Sequence, residues 1–417
     1  MKIVDVEVVT FRAKSWLGSN KDGHQGPGRE HDIAHPMIRI VTDDGAEGYH
    51  IPYQQLIPNE KYELLGAEAK QPEKFSDKPV SDPKHDPIQG VVDKVIKPLL
   101  IGEDPMAREK IHNKLWVMQR SSKRLTDRLI CFIDLALWDM AGRAFKQPVY
   151  KLLGGHRTKV KAYASTMIGD TLEGGLNTPE AFADYAEVCK NRGYQAFKLH
   201  TWAERKWTES TINASPDPKR DIAACRAVRE RVGDDMDLML DPYHYYNREQ
   251  ALYLGKELEK LNFVWLEEPM DEYSLSSYIW LTERLDIPVI GPEVHKGKLA
   301  SRAEWIVRKA SDICRAGVMN VGGLTPLMKV VGLCEAFGVR LELHSPGPGN
   351  LHAMAAMTIP GEYYERGMLH PFLNYDHVPV WLNSSVEHMG EEGYVHVPDK
   401  PGLGWDINFD YIREHKL

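Results

Sequence analysis

The segments that decide the fold are DLMLD (237–241), FVWLE (263–267) and PVIGPE (288–293). Each is a short apolar run that ends in a carboxylate, and the successive carboxylates are 26 residues apart. One strand–helix unit of a (β/α)8 barrel takes about 25–30 residues. The spacing therefore predicts that three neighbouring parallel strands place their terminal acids at one rim of a barrel: Asp241, Glu267 and Glu293.

These three acids form a candidate metal site. Carboxylates gathered at one rim repel one another unless a cation lies between them. Ligation by oxygen alone suits a hard divalent ion such as Mg2+. We therefore expect Asp241, Glu267 and Glu293 to bind one Mg2+ ion as the cofactor.

From about residue 158 the chain continues the same alternation of strand and helix. Seven units in this order predict a parallel sheet with right-handed crossovers. Their even spacing favours a closed barrel over an open sheet. The predicted strands are 160–166, 195–200, 237–242, 263–268, 288–293, 313–319 and 339–344.

The N-terminal region has a different pattern, typical of an α+β unit. Residues 2–12 and 37–42 alternate apolar and polar side chains as strands do. The segment 15–35 is polar and rich in Gly and His, which predicts a loop. We expect an α+β capping domain at 1–135, a barrel at 136–370 and a C-terminal segment at 371–417 that returns to the cap.

The composition restricts the partners of the protein. The 417-residue chain has 42% apolar residues and a net charge of −8, which argues against a nucleic acid as the main partner. No apolar stretch is long enough to cross a bilayer, and the N-terminus lacks an apolar signal run. Five dispersed cysteines without metal-ligand spacing indicate reduced thiols and a cytoplasmic protein.

Basic side chains end two other predicted strands. Lys198 and His200 are two residues apart on one strand, so they face the same side. His344 ends strand 339–344, across the barrel from them. Basic groups on both sides of a metal-bound acid suit removal of a proton at one face of a substrate and return of a proton at the other. We take these three residues as candidate catalytic groups.

Candidate substrate-binding residues lie at the rim and in the N-terminal segment. Tyr243 follows Asp241 by two residues and is expected to point into the pocket. His295 follows Glu293 in the same way and either contacts the substrate or belongs to a rim loop. The predicted loop 15–35 either closes over a ligand or is solvated, and its candidate ligand contacts are Trp16, His24, Arg29 and His31.

Together these features resemble the enolase superfamily, specifically its mandelate racemase branch, over nearly the whole chain. Each motif alone is weak evidence, but the set is specific. The motifs are IDLALWD (133–139), PVYKLLGG (148–155), Lys198-x-His200, Asp241, EEP (267–269), Glu293, VGG (321–323), His344 and PGLG (401–404).

The resemblance implies a (β/α)7β TIM-type barrel beneath an α+β cap. It implies that Mg2+, held by the three rim acids, binds the substrate carboxylate and stabilises the enediolate that forms when the α-proton leaves. It also implies that Lys198 and His200 match a Lys-x-Lys pair of bases. Glu365 falls where the family keeps an acid that hydrogen-bonds the developing oxyanion.

Two positions depart from the pattern of that branch. His200 replaces the second Lys, and Lys198 beside it should favour a neutral imidazole. Gly317 stands where the family places an Asp that orients the seventh-strand His. His344 therefore lacks its usual partner.

Arg315 and Glu342 each lie two residues before these rim positions, Gly317 and His344. Their side chains should therefore face the inside of the barrel. Because buried charges need partners, we expect them to form an ion pair beneath His344.

The resulting hypothesis is a Mg2+-dependent dehydratase of a sugar acid, an aldonate or an aldarate. A base removes the proton α to the carboxylate, and His344 or an acid near it protonates the departing β-hydroxyl, giving a 2-keto-3-deoxy acid. A racemase, epimerase or cycloisomerase on a similar acid is the first alternative, because the first step is shared. A superfamily member of low activity that binds Mg2+ and a sugar acid is the second. We expect a homo-oligomer, since the family often assembles.

Overall fold

The computed structural model describes residues 1–19, 25–52, 54–64, 87–202, 217–359 and 361–417. Its N-terminal part is an antiparallel sheet in the order β1-β2-β3, with β1 at Ile3–Ser19, β2 at Gln25–Thr42 and β3 at Glu47–His50. The prediction of a loop at 15–35 is wrong, because β1 and β2 stay paired as far as Ser19 and Gln25. Cross-strand ion pairs support this polar part of the sheet. Lys14 Nζ lies 2.8 Å from Asp32 Oδ1 and 3.0 Å from Glu30 Oε1.

A helical region follows the sheet, and α4 is its main element. Thr126 begins α4 as the N-cap, and its hydroxyl accepts the N–H of Leu129 at 3.2 Å. α4 packs its apolar face on the sheet around Ile38 and Ile40. It runs through the predicted domain limit at residue 135, and the domain limits stay predictions. The elements are β4 Ile57–Pro58, a 3-10 turn Glu60–Leu64, α1 Pro87–Val91, a π-helical turn Val92–Ile96, α2 Lys97–Leu100, α3 Arg108–Gln119, α4 Asp127–Phe145 and α5 Val149–Leu152.

Eight parallel strands then form a nearly closed barrel, which confirms the predicted fold class. Their hydrogen-bonded order is β11-β10-β9-β8-β7-β6-β5-β12. The predicted strand 313–319 is too long, because it ends at Ala316 and Gly317 caps a short helix. The strands are β5 Lys159–Ile168, β6 Ala196–His200, β7 Asp237–Asp241, β8 Trp265–Glu267, β9 Val289–Gly291, β10 Ile313–Ala316, β11 Arg340–Leu343 and β12 Tyr363–Leu369. The helices between them are α6 Pro179–Asn191, α7 Pro218–Val232, α8 Arg248–Lys260, α9 Leu275–Thr282, α10 Lys298–Val307, α11 Val318–Val321, α12 Leu324–Phe337 and α13 Pro348–Ala356.

The inside of the barrel has an apolar layer below a charged layer. Side chains two residues apart on a strand share a face, and five of the six apolar residues named next are followed inside the barrel by a charged one, the exception being Tyr163, which is followed by Ser165. The apolar layer includes Tyr163, Ala196, Met239, Trp265, Ile313 and Tyr363. The charged residues two positions further along these strands are Lys198, Asp241, Glu267, Arg315 and Glu365.

The C-terminal segment returns to the N-terminal sheet. β13 (Leu373–Asn374) pairs with β4, β14 (Tyr394–His396) pairs antiparallel with β5, and α14 spans Phe409–Glu414. Asp139 of α4 joins three parts of the chain, because its carboxylate accepts the N–H groups of Tyr49 at 3.0 Å and Leu403 at 2.9 Å. All five cysteines are buried and free. Across the described ranges no helix is both long and apolar enough to cross a membrane.

Candidate active site

A cavity of about 710 Å³ lies between the mouth of the barrel and the N-terminal unit. The ends of five barrel strands supply predicted site residues to its wall. Glu267 lies below this wall and is fully buried. The predicted residues that line the cavity are Lys198, His200, Asp241, Tyr243, Glu293, His344 and Glu365.

Lys198 is a buried cation among three carboxylates. Its Nζ donates to Glu267 Oε2 at 2.8 Å and lies 3.2 Å from Glu365 Oε1 and 3.6 Å from Asp241 Oδ2. Burial lowers the pKa of Lys198, but Glu267 and Glu365 outweigh it and raise the pKa well above its usual range. Lys198 is therefore charged in this arrangement.

Arg315 is a second buried cation in the same layer. Its Nε lies 2.8 Å from Glu267 Oε1, and its Nη2 donates to Glu365 Oε2 at 2.9 Å and to Tyr163 Oη at 3.1 Å. Its Nε also lies 3.6 Å from Glu293 Oε2. One guanidinium thus links two predicted metal ligands to Glu365.

The predicted ion pair between Arg315 and Glu342 is wrong. The two residues are register partners on β10 and β11, yet within the described chain Glu342 forms no ion pair. Its carboxylate accepts the N–H groups of Glu362 at 2.9 Å and Tyr363 at 3.5 Å. Backbone donors thus satisfy Glu342, while the guanidinium extends to the acids around the barrel axis.

Each ring nitrogen of His200 lies within hydrogen-bond distance of an oxygen that can only accept. Nδ1 lies 2.6 Å from the carbonyl oxygen of Thr166, and Nε2 lies 2.9 Å from Asp241 Oδ2. Burial raises the pKa of Asp241, but His200 and Lys198 outweigh it and bring the pKa below its usual range. Since both partners accept, the ring bonds to both only with a proton on each nitrogen. The neutral imidazole that the sequence suggested at His200 stays a prediction.

His344 lies on the opposite side of the barrel and contacts an acid other than the missing Asp. Its Nε2 is 3.1 Å from Glu293 Oε1. Burial lowers the pKa of His344 to about 4, against the opposing effect of Glu365. A Cβ at Gly317 would lie 2.6 Å from the carbonyl oxygen of His344 and 2.9 Å from Asn320 Oδ1. Position 317 therefore has no room for a carboxylate side chain in this backbone.

Glu365 is an ionised acid at the centre of the charged layer. Besides Lys198 and Arg315, the N–H of Ser345 donates to its Oε2 at 2.8 Å. Burial raises the pKa of Glu365, but Lys198 and Arg315 outweigh it and bring the pKa well below its usual range. Its predicted hydrogen bond to an oxyanion stays a prediction.

The acids at the strand ends fit a hard divalent cation by their chemistry. Burial raises the pKa of Glu293 well above its usual range, and Glu267 adds to this effect. A shared cation relieves such repulsion. Glu267 Oε1 makes no hydrogen bond in the described chain, and its contact there is the ion pair with Arg315 Nε at 2.8 Å.

The side chains are not yet arranged around one ion. Among the described residues no group of three His, Cys, Asp or Glu side chains is positioned to hold a metal. Lys198 and Arg315 lie between the acids instead. Binding of one ion therefore requires the carboxylates to turn from these cations.

Some of the predicted substrate contacts line the cavity and others lie outside it. Tyr243 lines the cavity, with its ring centroid 4.8 Å from that of His200. Trp16 packs beside Leu56 outside it, Arg29 is exposed on β2, and the His295 ring lies 4.8 Å from that of Tyr273. In this conformation of the described chain these three do not line the cavity. Other residues of the paired strands β1 and β2 do line it, among them Ser15, Leu17 and His31. His24 lies outside the described residues.

Sequence reasoning missed Glu268, which lines the cavity beside the rim acids. Its Oε1 accepts the N–H of Glu293 at 2.6 Å. Successive side chains of a strand point to opposite faces, so Glu268 would be expected to point away from the barrel axis. Its φ of 33° is not a strand conformation, so this rule no longer applies at Glu268. The EEP motif was the available signal, because it places a second acid directly after Glu267.

Two family models match the sequence. The model described as "Mandelate racemase / muconate lactonizing enzyme, N-terminal domain" matches residues 73–154, and "Enolase C-terminal domain-like" matches residues 181–411, more than half of the chain. The chain belongs to the enolase superfamily. Within it, the N-terminal match indicates the mandelate racemase branch, as the motifs predicted.

Similar members of the superfamily carry related names. A crystal structure of D-glucarate dehydratase from Agrobacterium tumefaciens, complexed with magnesium, is 46% identical, with a TM-score of 0.87 over 100% of this chain and 99% of that one. Arabinonate dehydratase from Saccharolobus solfataricus is 31% identical over 79% of this chain and 84% of its own length. L-talarate/galactarate dehydratase from Salmonella typhimurium is 30% identical over 74% of this chain and 71% of its own length.

Proposed function

We propose that this member of the enolase superfamily is a Mg2+-dependent dehydratase of a sugar acid, an aldonate or an aldarate, that forms a 2-keto-3-deoxy acid. The observation that carries the proposal is the placement of proton-transfer groups on two sides of one acid-lined cavity. Lys198 and His200 lie at the end of β6, and His344 lies at the end of β11. Similarity to D-glucarate dehydratase over the whole chain supports the same reaction type.

Asp241, Glu267 and Glu293 are the residues proposed to hold Mg2+. When bound, the ion supplies positive charge beside the substrate carboxylate. Lys198 adds a second positive charge to the same end of the cavity. Arg315 contacts Glu267 and Glu365 from below and balances their charge before Glu267 turns towards the ion.

Dehydration needs a base for the α-proton and an acid for the departing β-hydroxyl. We assign removal of the α-proton to the Lys198–His200 side and protonation of the departing β-hydroxyl to His344 or an acid near it. His200 can accept the α-proton at Nε2 only in its neutral form, with the Asp241 contact released and no proton on Nε2. The Glu293 contact orients His344 Nε2 towards the rim acids.

The first test is a panel of sugar acids incubated with the protein and Mg2+, with 2-keto acid as the readout. We expect product from at least one acid, and loss of product when a chelator removes the metal. No product from any acid, with the acid still bound by calorimetry, would support the low-activity binding protein instead.

The second test separates the two proton transfers. His200→Asn and His344→Asn should each lower the dehydration rate by roughly 10²–10⁴-fold. In deuterated solvent, a variant that has lost only the acid should still exchange the α-proton, and a variant that has lost the base should not. His388→Asn, at an exposed histidine away from the cavity, is the matched control. Exchange by the unaltered protein without loss of water would indicate an isomerase, in line with the 30% identity to D-galactarolactone cycloisomerase from Agrobacterium fabrum.

Two further expectations remain part of the proposal. The protein should form a homo-oligomer, which sedimentation measures directly. It should act in the cytoplasm, where its five free thiols remain reduced.

A further inference from the structure

The cavity has an unequal distribution of charge along its length. Four carboxylates line it, and all four come from the barrel: Asp241, Glu268, Glu293 and Glu365. Among the described residues, the N-terminal unit contributes no acid to the lining. Its ionisable contributions are Lys14, His31, His35, His50 and Arg128.

Arg128 differs from the other charged residues of this lining. Lys14 is paired with Glu30 and Asp32, and Lys198 is paired with Glu267. The side chain of Arg128 makes no ion pair or hydrogen bond within the part of the chain that the structure describes. It is also exposed, so its guanidinium is accessible from the cavity.

The helix α4 positions this guanidinium against the cavity wall. Arg128, Phe132 and Leu135 follow the i, i+4, i+7 spacing of one helix face, and all three line the cavity. The Arg128 guanidinium carbon lies 5.5 Å from the centroid of the Phe132 ring. His50 packs on the same ring at 4.6 Å, and neither of its ring nitrogens has a partner among the described residues. This wall therefore offers an unpaired cation and an unused hydrogen-bonding group.

We propose that Arg128 is a specificity-determining residue that binds the second, distal carboxylate of a dicarboxylic sugar acid. The inference rests on the proposed function, which places the reacting carboxylate among the barrel acids. The other end of an open-chain acid then extends towards α4. A planar guanidinium pairs with a carboxylate through two parallel hydrogen bonds. A monocarboxylic acid of the same length would place a neutral hydroxymethyl group there and leave Arg128 unpaired.

The test compares acids that differ only at the distal carbon, such as glucarate with gluconate and galactarate with galactonate. The unaltered protein should have the higher kcat/KM on the dicarboxylic member of a pair. Arg128→Gln should lower kcat/KM on that member by roughly 10- to 100-fold, the effect of losing a charge-assisted hydrogen bond, mainly through KM. Its effect on the monocarboxylic member should be below about twofold. Arg128→Lys should retain part of the preference, because it keeps the charge but not the planar fork.

Arg124→Gln is the matched control, since Arg124 is exposed just before α4 and does not line the cavity. It should leave both acids unaffected. Equal loss on both acids in Arg128→Gln, or a preference of the unaltered protein for monocarboxylic acids, would overturn the inference while leaving the dehydratase proposal intact.

Calorimetry with the Mg2+-loaded protein distinguishes failure of the inference from failure of the proposed function. If no acid is turned over, the proposed function fails. Tighter binding of the dicarboxylic acid that disappears in Arg128→Gln would still support the distal site. Equal binding of both acids, or binding of neither, would refute it.

Discussion

Arg315 Nε lies 2.8 Å from Glu267 Oε1, and Nη2 of the same guanidinium lies 2.9 Å from Glu365 Oε2. All three side chains are buried in the barrel. Two carboxylates in this environment are stable as anions only if a cation stays between them. Arg315 is therefore a structural counter-ion of the candidate site, fixed by the fold before any ligand binds.

Arg315→Gln should lower the free energy of unfolding by roughly 3–5 kcal/mol, because it removes one of the two buried cations that Glu267 and Glu365 share and leaves only Lys198. Arg315→Lys should cost less, since it keeps the charge. Urea unfolding at pH 7 measures both. Arg308→Gln removes an exposed arginine paired with Glu304 at 3.1 Å and should change stability by less than about 0.5 kcal/mol. Equal stabilities of Arg315→Gln and Arg308→Gln would contradict the counter-ion role.

The barrel was predictable because its strands carry two independent signals. The acid spacing at 241, 267 and 293 marks successive strand ends, and the inward positions follow from alternation along each strand. These signals place Lys198 and His344 correctly at the rim. They concern the backbone path, which the sequence pattern determines locally.

The predictions that failed are those in which the structure depends on the direction of a side chain or on which polar groups pair with each other. Arg315 and Glu342 are neighbours by register, but Glu342 accepts backbone N–H groups and Arg315 reaches other acids. The 15–35 segment looked like a loop because its polar residues hide cross-strand pairs such as Lys14 with Asp32. Neither outcome can be read from periodicity, since both depend on which polar groups meet across the chain.

Gly317 should not accept the carboxylate that the resemblance places there. A Cβ would lie 2.6 Å from the His344 carbonyl oxygen, and this part of β11 is held by the bond from His344 N–H to Ala316 O at 2.7 Å. Gly317→Ala should cost about 1–3 kcal/mol of stability through overpacking. Gly317→Asp should cost at least as much without raising activity.

Thermal unfolding and turnover of the two variants check this prediction. Gly332→Ala is the control, because this exposed glycine of α12 has no atom within 4 Å of its added Cβ. It should stabilise the helix by up to about 1 kcal/mol. A Gly317→Asp variant with unchanged stability and faster turnover would show that position 317 can hold the orienting acid.

Gly402 should be required for the return of the C-terminal segment to α4. Its φ of 75° is in the left-handed region, and an added Cβ would overlap Asp139 Oδ1, which accepts the N–H of Leu403 at 2.9 Å. Gly402→Ala should therefore cost roughly 2–5 kcal/mol, from backbone strain and steric overlap together. Gly45→Ala is the matched control, with a φ of 82° but nothing within 4 Å of the new Cβ. It should cost only about 1–2 kcal/mol in urea unfolding. Equal losses at the two positions would mean that backbone strain alone, without the Asp139 contact, explains Gly402.

His50 should make the stability of the protein depend on pH. Burial lowers its pKa to about 3, and Arg128 and His35 add to this effect. The pKa of His50 is lower in the folded state than in the unfolded chain. Its contribution to the free energy of unfolding is therefore fully present above the ordinary histidine pKa of about 6.5. That contribution is lost as pH falls from about 6.5 towards 3, because the unfolded histidine binds a proton that the folded one does not.

The check is a comparison of His50→Phe with the unaltered protein by urea unfolding at several pH values between 7 and 4. The variant lacks the titrating ring, so its stability relative to the unaltered protein should rise by up to about 1.4 kcal/mol for each pH unit below about 6. His388→Phe, at an exposed histidine, is the matched control and should leave the slope unchanged. Stability curves of His50→Phe and the unaltered protein that run parallel down to pH 4 would show that His50 binds a proton equally in both states, and that the wall beside Arg128 is hydrated in solution.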